Sequence, residues 1–181
     1  MKSLMTAAAL AAIGVVSPAL AQAQTPAPTG LYGNLGYSDA DGSNVNLGAI
    51  QGRLGYRLNN WLGVEGEGAV GVKGDHVNVA PGVNARVKLR HQEALYGVGF
   101  LPVTPKWDLL GRVGYGGDTI RTSAPGVRST VSENSWNVGA GAQYHVDGKN
   151  GVRADYTRQE YVGHGPTDHA NVWSVAYSRR F

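Results

Sequence analysis

The chain has 181 residues, of which 27 are glycine and none is cysteine, with a formal charge of +3 that falls to +2 without Lys2. The lack of cysteine removes disulfide frameworks, thiolate nucleophiles and Cys-based zinc sites. Glycine at about twice its usual frequency of roughly 7% without a Gly-X-Y period excludes collagen, and the absence of any basic block along the sequence makes nucleic acid a poor default partner.

Met1-Lys2-Ser3 followed by the apolar stretch Leu4 to Val16 and by Pro18 reads as a secretory signal peptide spanning residues 1–23. Small-x-small triplets at Ala19-Leu20-Ala21 and Ala21-Gln22-Ala23 put the first mature residue at Gln22 or Gln24. The stretch is shorter than the ~20 residues of a bilayer-spanning helix, and no other apolar run matches it. Residues 24–29, with Pro26 and Pro28, form a Pro-rich lead-in, and residues 30–181 are read as a single domain.

From Gly30 onward the hydrophobic period is two, the signature of strands. Leu31, Leu35 and Tyr37 share one face of the first segment, opposite Tyr32, Asn34, Gly36 and Ser38. Ile50, Leu54 and Tyr56 oppose Gln51, Arg53 and Arg57 in the second, and Leu62, Val64, Val70 and Val72 oppose Glu65 and Glu67 in the third. The fourth places Tyr96, Val98 and Phe100 on its apolar face; Val87 and Leu89 read in the other phase, which suggests a bulge near His91 to Glu93. Trp107, Leu109, Val113 and Tyr115 oppose Asp108, Arg112 and Asp118 in the fifth. In the sixth, Trp136, Val138, Ala140, Ala142, Tyr144 and Val146 oppose Asn137, Gln143 and His145. Val152, Ala154 and Tyr156 oppose Arg153, Asp155 and Thr157 in the seventh, and Trp173, Val175, Tyr177 and Phe181 oppose Ser174, Ser178 and Arg180 in the eighth.

The connections alternate in length. Leu58 to Asn60, Pro102 to Lys106 and Asp147 to Asn150 are short turns; Asp39 to Asn44, Lys73 to Asn84, Gly117 to Asn134 and Val162 to His169 are longer, polar loops. Both termini therefore fall on the short-turn side. This asymmetry predicts an all-β, eight-stranded antiparallel up-and-down transmembrane β-barrel with periplasmic turns and extracellular loops.

Alternation alone does not distinguish such a barrel from a soluble lipocalin-like one, in which the oily face points inward. Two features favour the membrane. The polar file is rich in Gly, Ala, Ser, Asn and Gln, whereas a water-facing file should be thick with Lys and Glu. The aromatics also sort by height: Tyr56, Phe100, Trp107, Tyr144 and Phe181 near the short turns, and Tyr37, Tyr115, Trp136 and Trp173 near the long loops, with Tyr177 in the same outward file. Such belts bracket an apolar band at the two interfaces of a bilayer.

The ending Tyr177-Ser178-Arg179-Arg180-Phe181 resembles the C-terminal recognition signal of Gram-negative outer-membrane proteins, with Arg179 departing from its usual apolar position. Tyr96 to Pro102, Gly111 to Tyr115 and Val152 to Thr157 resemble strands of the small opacity-protein/OmpX-like, porin-family outer-membrane barrels. The resemblance implies an exported protein of the cell outer membrane, surrounded by outer-membrane lipid and lipopolysaccharide. It also implies engagement of the barrel-assembly machinery through Tyr177 and Phe181, and loops that serve envelope integrity or surface adhesion toward an extracellular ligand.

Eight strands leave an interior just wide enough for side chains. Arg53, Arg112 and Arg153 against Glu65, Glu67 and Asp155 form a balanced set predicted to pair across the axis, with inward Gly63, Gly71, Gly114, Gly139 and Gly141 making room for the arginines. The prediction is a filled lumen; a narrow low-conductance channel is the alternative if those pairings exchange. Gly66 to Gly71 spells GxGxxG, but inside an alternating strand with no following helix it is no nucleotide loop. His164, Asp168 and His169 crowd one loop, yet neither a metal nor another cofactor is expected there; His76, His91 and His145 are scattered. A lipid A-modifying enzyme would need a serine–histidine pair on the outer wall, and no His-x-Ser occurs, so no catalytic residue is assigned.

Overall fold

The structure, a computed structural model, describes residues 29–42, 45–80, 83–124, 127–162 and 169–181. The predicted signal peptide and most of the Pro-rich lead-in lie outside the described residues, as do His164 and Asp168. The regular elements of the described chain are all strands: β1 (Gly30–Gly42), β2 (Val45–Arg57), β3 (Leu62–Lys73), β4 (Asp75–Ala80), β5 (Val83–Thr104), β6 (Trp107–Ala124), β7 (Val127–His145), β8 (Asn150–Tyr161) and β9 (His169–Arg180). Strands adjacent in sequence pair antiparallel except β3 and β4, and two further pairings, β1 with β9 and β3 with β5, close the wall. The barrel is therefore built of eight strands, with β4 standing outside the closure.

Closure removes every edge within the bilayer, which a membrane demands because lipid offers unpaired backbone groups no hydrogen bonds. The outward file is the apolar one. Leu54, Val64, Val113, Val138, Trp173 and Val175 are exposed, whereas Arg53, Glu65, Glu67, Arg112, Arg153 and Asp155 are buried in the lumen. On β6 the outward Trp107 and Tyr115 stand eight residues apart, about 27 Å along the strand and roughly 20 Å along the membrane normal at a 45° tilt. Trp107 packs on Tyr144 at 5.0 Å and Tyr115 on Trp136 at 5.1 Å between ring centroids, one pair at each interface. Tyr37, Tyr56, Trp173, Tyr177 and Phe181 also face outward, and Trp61, in the β2–β3 turn, joins the periplasmic belt without having been foreseen.

The fourth predicted segment requires a correction. Tyr96, Val98 and Phe100 point into the lumen, with Phe100 5% exposed, while Leu95 at 68% faces lipid. In Leu95-Tyr-Gly-Val-Gly-Phe-Leu101 the middle of the outward file is Gly97 and Gly99, so apolarity by itself selects the wrong parity. The lumen takes these rings because it holds cations: the guanidinium of Arg57 lies 4.2 Å over the Phe100 ring and that of Arg112 4.2 Å over the Tyr96 ring. Phe100 is thus no part of an aromatic belt.

Inward glycines also serve differently from the prediction. A Cβ on Gly114 would sit 2.5 Å from the Tyr96 ring, and one on Gly55 2.4 Å from the Tyr32 ring. On Gly63 it would meet the Phe100 ring at 3.1 Å; on Gly71, Gly139 and Gly141 it would strike neighbouring backbone or the side chains of Leu89, Thr157 and Asp155. The glycines accommodate aromatic rings and close strand contacts, not arginines.

Three predicted loops are largely strand; in the first, Asp39 to Asn44, β1 runs on to Gly42. Lys73 to Asn84 contains β4, which pairs with the start of β5, and within Gly117 to Asn134 β6 and β7 pair from Gly117↔Asn134 to Ala124↔Val127. The register shift on β5 falls between Leu89 and His91, beside the predicted bulge. β5, β6 and β7 have 22, 18 and 19 residues, far more than the 9–11 a tilted strand needs to cross a bilayer. Their surplus, with β4, forms a four-stranded sheet standing above the outer belt.

Candidate functional site

Three layers fill the lumen. The middle one contains the six predicted charged residues. Arg153 donates through Nη1 and Nη2 to Glu65 and through Nε to Asp155 Oδ1 at 2.8 Å. Arg53 Nε reaches Glu67 at 2.7 Å and Nη1 reaches Asp155 Oδ2 at 2.6 Å; Arg112 Nη1 reaches Glu67 at 2.8 Å. Neutral side chains add further hydrogen bonds to these pairs. Thr157 accepts from Arg112 Nε and Nη2, and Ser174 accepts from Arg53 while donating to Asp155. Tyr32 donates to Glu65 at 2.7 Å, and Asn137 Nδ2 donates to the Tyr96 hydroxyl at 3.1 Å. Glu65 and Arg153 are 0% exposed, which such ions tolerate only when every charge has partners. Sequence spacing cannot bring Arg53 to Asp155, 102 residues away; strand tilt and barrel closure do.

The periplasmic layer was not foreseen as a unit. Arg57 Nη1 meets Asp108 Oδ2 at 2.7 Å, His145 Nε2 lies 3.1 Å from the same oxygen, and Arg180 Nη2 lies 3.0 Å from His145 Nε2. Arg57 also donates to the carbonyls of Asn59 and Asn60, tying the layer to the β2–β3 turn. Its signal was present in the sequence, since all four residues lie on polar files beside short turns. Between this layer and the middle one, Tyr32, Phe100, Val98 and Leu110 form an apolar cluster, Tyr32 and Phe100 meeting edge-on at 6.1 Å.

The extracellular layer is apolar: Leu47, Ala49, Ala69 and Leu89, with Val45, Val87 and Ile120 packed on them. Beneath it the Tyr161 hydroxyl donates to Asp118 at 2.9 Å. Both lie beyond the membrane-spanning part of their strands, and burial pushes the Asp118 carboxyl up to about 6.

Above the bilayer the two faces of the four-stranded sheet differ. Ala85, Val87, Leu89 and Ile120 turn toward the barrel mouth; Arg86, Lys88, Arg90, His91, Arg121 and Arg128 turn outward and are exposed. Lys88 sits directly opposite Arg121 in the register. A like-charge cross-strand pair disfavours the sheet, and no carboxylate within 4 Å relieves it among the described residues. At the tip, the Asp75 carboxylate accepts from the Asn46 and His76 amides, and these bonds hold its carboxyl below the usual range.

GxGxxG lies within β3, as predicted, and no group of three or more His, Cys, Asp or Glu able to hold a metal occurs among the described residues. His169 opens β9, apart from His76, His91 and His145.

Among solved structures, Ail of Yersinia pestis in complex with the heparin analogue sucrose octasulfate is 19% identical over 84% of this chain and 99% of that one, with a TM-score of 0.61. Neisserial surface protein A is 12% identical over 87% and 100%, with a TM-score of 0.55. OprG of Pseudomonas aeruginosa is 11% identical over 84% and 96%, with a TM-score of 0.59. At these identities the likeness is one of fold. No curated protein matches the sequence. Residues 7–181 match the family of the outer membrane protein beta-barrel domain. A closed eight-stranded wall, an oily exterior and this family match together make the chain a member of the outer membrane protein beta-barrel family, resident in the cell outer membrane.

Proposed function

We propose that this protein is a non-enzymatic surface protein: the filled barrel is its anchor, and the four-stranded extracellular sheet is its contact surface for adhesion or envelope integrity. The observation that carries the reading is the outward row Arg86, Lys88, Arg90, Arg121 and Arg128, in which like charges face one another at the expense of sheet stability. A polyanion laid across the row would relieve that repulsion. Ail, similar in fold, has been seen with a heparin analogue, which makes sulfated polysaccharide the ligand class to try first. Tyr177 and Phe181, outward on the closing strand, are the residues we assign to recognition by the barrel-assembly machinery.

The test is retention of the refolded protein on immobilised heparin, with Lys88→Glu and Arg121→Glu as variants. Wild type should elute at raised salt and the double variant at the void; equal elution of both overturns the reading. Planar-bilayer recording addresses the narrow-channel alternative. Silence fits a plug, whereas discrete conductance steps altered by Arg112→Ala would establish a pore.

A further inference from the structure

At its periplasmic end the lumen opens into a cavity of about 190 Å³ between the start of β1, the end of β9 and the turn from β7 to β8. Arg57, Lys149 and Arg180 line it together with Gln143, and the rings of Tyr32 and Phe100, meeting edge-on, form its inner end. Cations outnumber acids here. Among the described residues Asp108 is the single carboxylate within 4 Å of either arginine: one of its oxygens stands 2.7 Å from Arg57 but 4.0 Å from Arg180, and His145 lies 3.1 Å from that same oxygen. Arg180 donates from its side chain only through Nη2, against the ring of His145, and Lys149 Nζ has neither an acceptor nor an acid beside it among the described residues. Arg57 is 3% exposed, so one of the three charges is desolvated within the cavity, and it repels its neighbour Arg180. The middle layer balances three arginines with three carboxylates; this one sets three cations against one.

We propose that this periplasmic cavity binds a phosphate group, free in solution or carried on a phospholipid headgroup, held by Arg180 and Lys149 with the charge of Arg57 behind them. A planar guanidinium presents paired N–H donors that match two oxygens of a phosphate, and a lysine adds a point charge. Arg180 keeps Nε and Nη1 free of hydrogen bonds among the described residues. An oxyanion placed here relieves the repulsion between Arg57 and Arg180, which Asp108, already shared between Arg57 and His145, does not cancel. Size selects a compact group, since about 190 Å³ is below the ~300 Å³ at which pockets for drug-sized ligands begin. Position admits a lipid as its carrier: Leu31 and Phe181 line the same cavity and are exposed on the outward face, so the opening lies beside the periplasmic leaflet. The site is at the opposite end of the barrel from the outward cationic row, and it stands whether or not a polyanion binds there.

The experiment is calorimetric titration of the full barrel in maltoside micelles, subtracting empty micelles, with inorganic phosphate and separately with dihexanoylphosphatidylglycerol. Each has a control without phosphate, sodium chloride at equal ionic strength for the first and dihexanoylglycerol for the second. The expected result is saturable binding of at least one phosphate probe, weakened about ten-fold by Arg180→Gln combined with Lys149→Gln and several-fold by Lys149→Gln alone. Arg158→Gln, which removes a cation paired with Glu160 on the outer wall, should leave it unchanged. Saturation by the lipid alone assigns the phosphate to a headgroup, and saturation by inorganic phosphate shows that the free ion suffices. Heat-modifiable gel mobility checks that each variant has folded; Lys149 lies in a turn outside the strands, so its variant tests the site even where the Arg180 variant does not fold. Failure of both probes to saturate, equal binding of dihexanoylglycerol, or indifference of a folded Lys149→Gln protein overturns the proposal.

Discussion

The middle of the lumen and the extracellular sheet contain the same cationic residue type under opposite rules. In the lumen, Arg53, Arg112 and Arg153 are buried and each meets a carboxylate within 2.8 Å or closer. On the sheet, Arg86, Lys88, Arg121 and Arg128 are exposed with no acid within 4 Å among the described residues. Burial forces pairing because a desolvated charge left alone costs several kcal/mol, whereas water tolerates an unpaired one at almost no cost. A cation left unpaired on the sheet is therefore available to an outside partner, and one in the lumen is not.

The largest break in that contrast should come from Glu65→Ala. It strips Arg153 of one of its two carboxylates and removes the acceptor of Tyr32, and should lower the stability of the barrel in lipid vesicles by about 3–5 kcal/mol in urea unfolding. Replacing both partners, Glu65→Leu with Arg153→Met, should cost markedly less, since no orphaned charge remains. Loss of equal size in both variants would mean that shape, not charge pairing, holds the layer together.

Gly114→Val should cost about 1–3 kcal/mol, because its Cβ would stand 2.5 Å from the Tyr96 ring; combining it with Tyr96→Ala should recover part of the loss, which the same unfolding assay would detect. At the outer mouth the sign is set by pH. With a folded-state value of about 6 for Asp118 against an unfolded value of about 4, the folded protein binds the proton more tightly. Stability contributed by this group is present below about pH 4 and is lost as pH rises to about 6, by at most about 3 kcal/mol, then stays level. Asp118→Asn should abolish that step in unfolding curves recorded across this range. Smallest of all, Lys88→Ala should leave stability within about 0.5 kcal/mol, or raise it slightly by removing the repulsion from Arg121, while weakening retention on heparin.

Legibility in the sequence followed the same division. The parity of β1, β2, β3, β6, β7, β8 and β9 could be read directly, because in each a file of Leu, Val, Trp or Tyr alternates with charged and amide residues. On β5 it could not, because Gly97 and Gly99 occupy the outward file and carry no side chain to mark it. The stretches Lys73 to Asn84 and Gly117 to Asn134 looked like loops for their Gly, Pro, Ser and Asn content, yet they pair as strands once β5 and β6 extend beyond the bilayer and offer them an edge. The membership of the ionic layer followed from charge balance on the polar files; the partner of each arginine did not.

The sequence by itself determined the medium and the closed architecture, since an oily stripe of period two, aromatic belts and short turns opposite long connections are local properties that only a lipid-embedded barrel satisfies together. Tertiary structure decided the rest: which face of β5 enters the lumen, that Arg57, Asp108, His145 and Arg180 form a second polar layer, and that Leu47, Ala49, Ala69 and Leu89 gather into an apolar layer at the mouth. Those features arise where strands distant in the chain converge around one axis, and the distance between side chains there is fixed by tilt and closure, quantities that no single strand encodes.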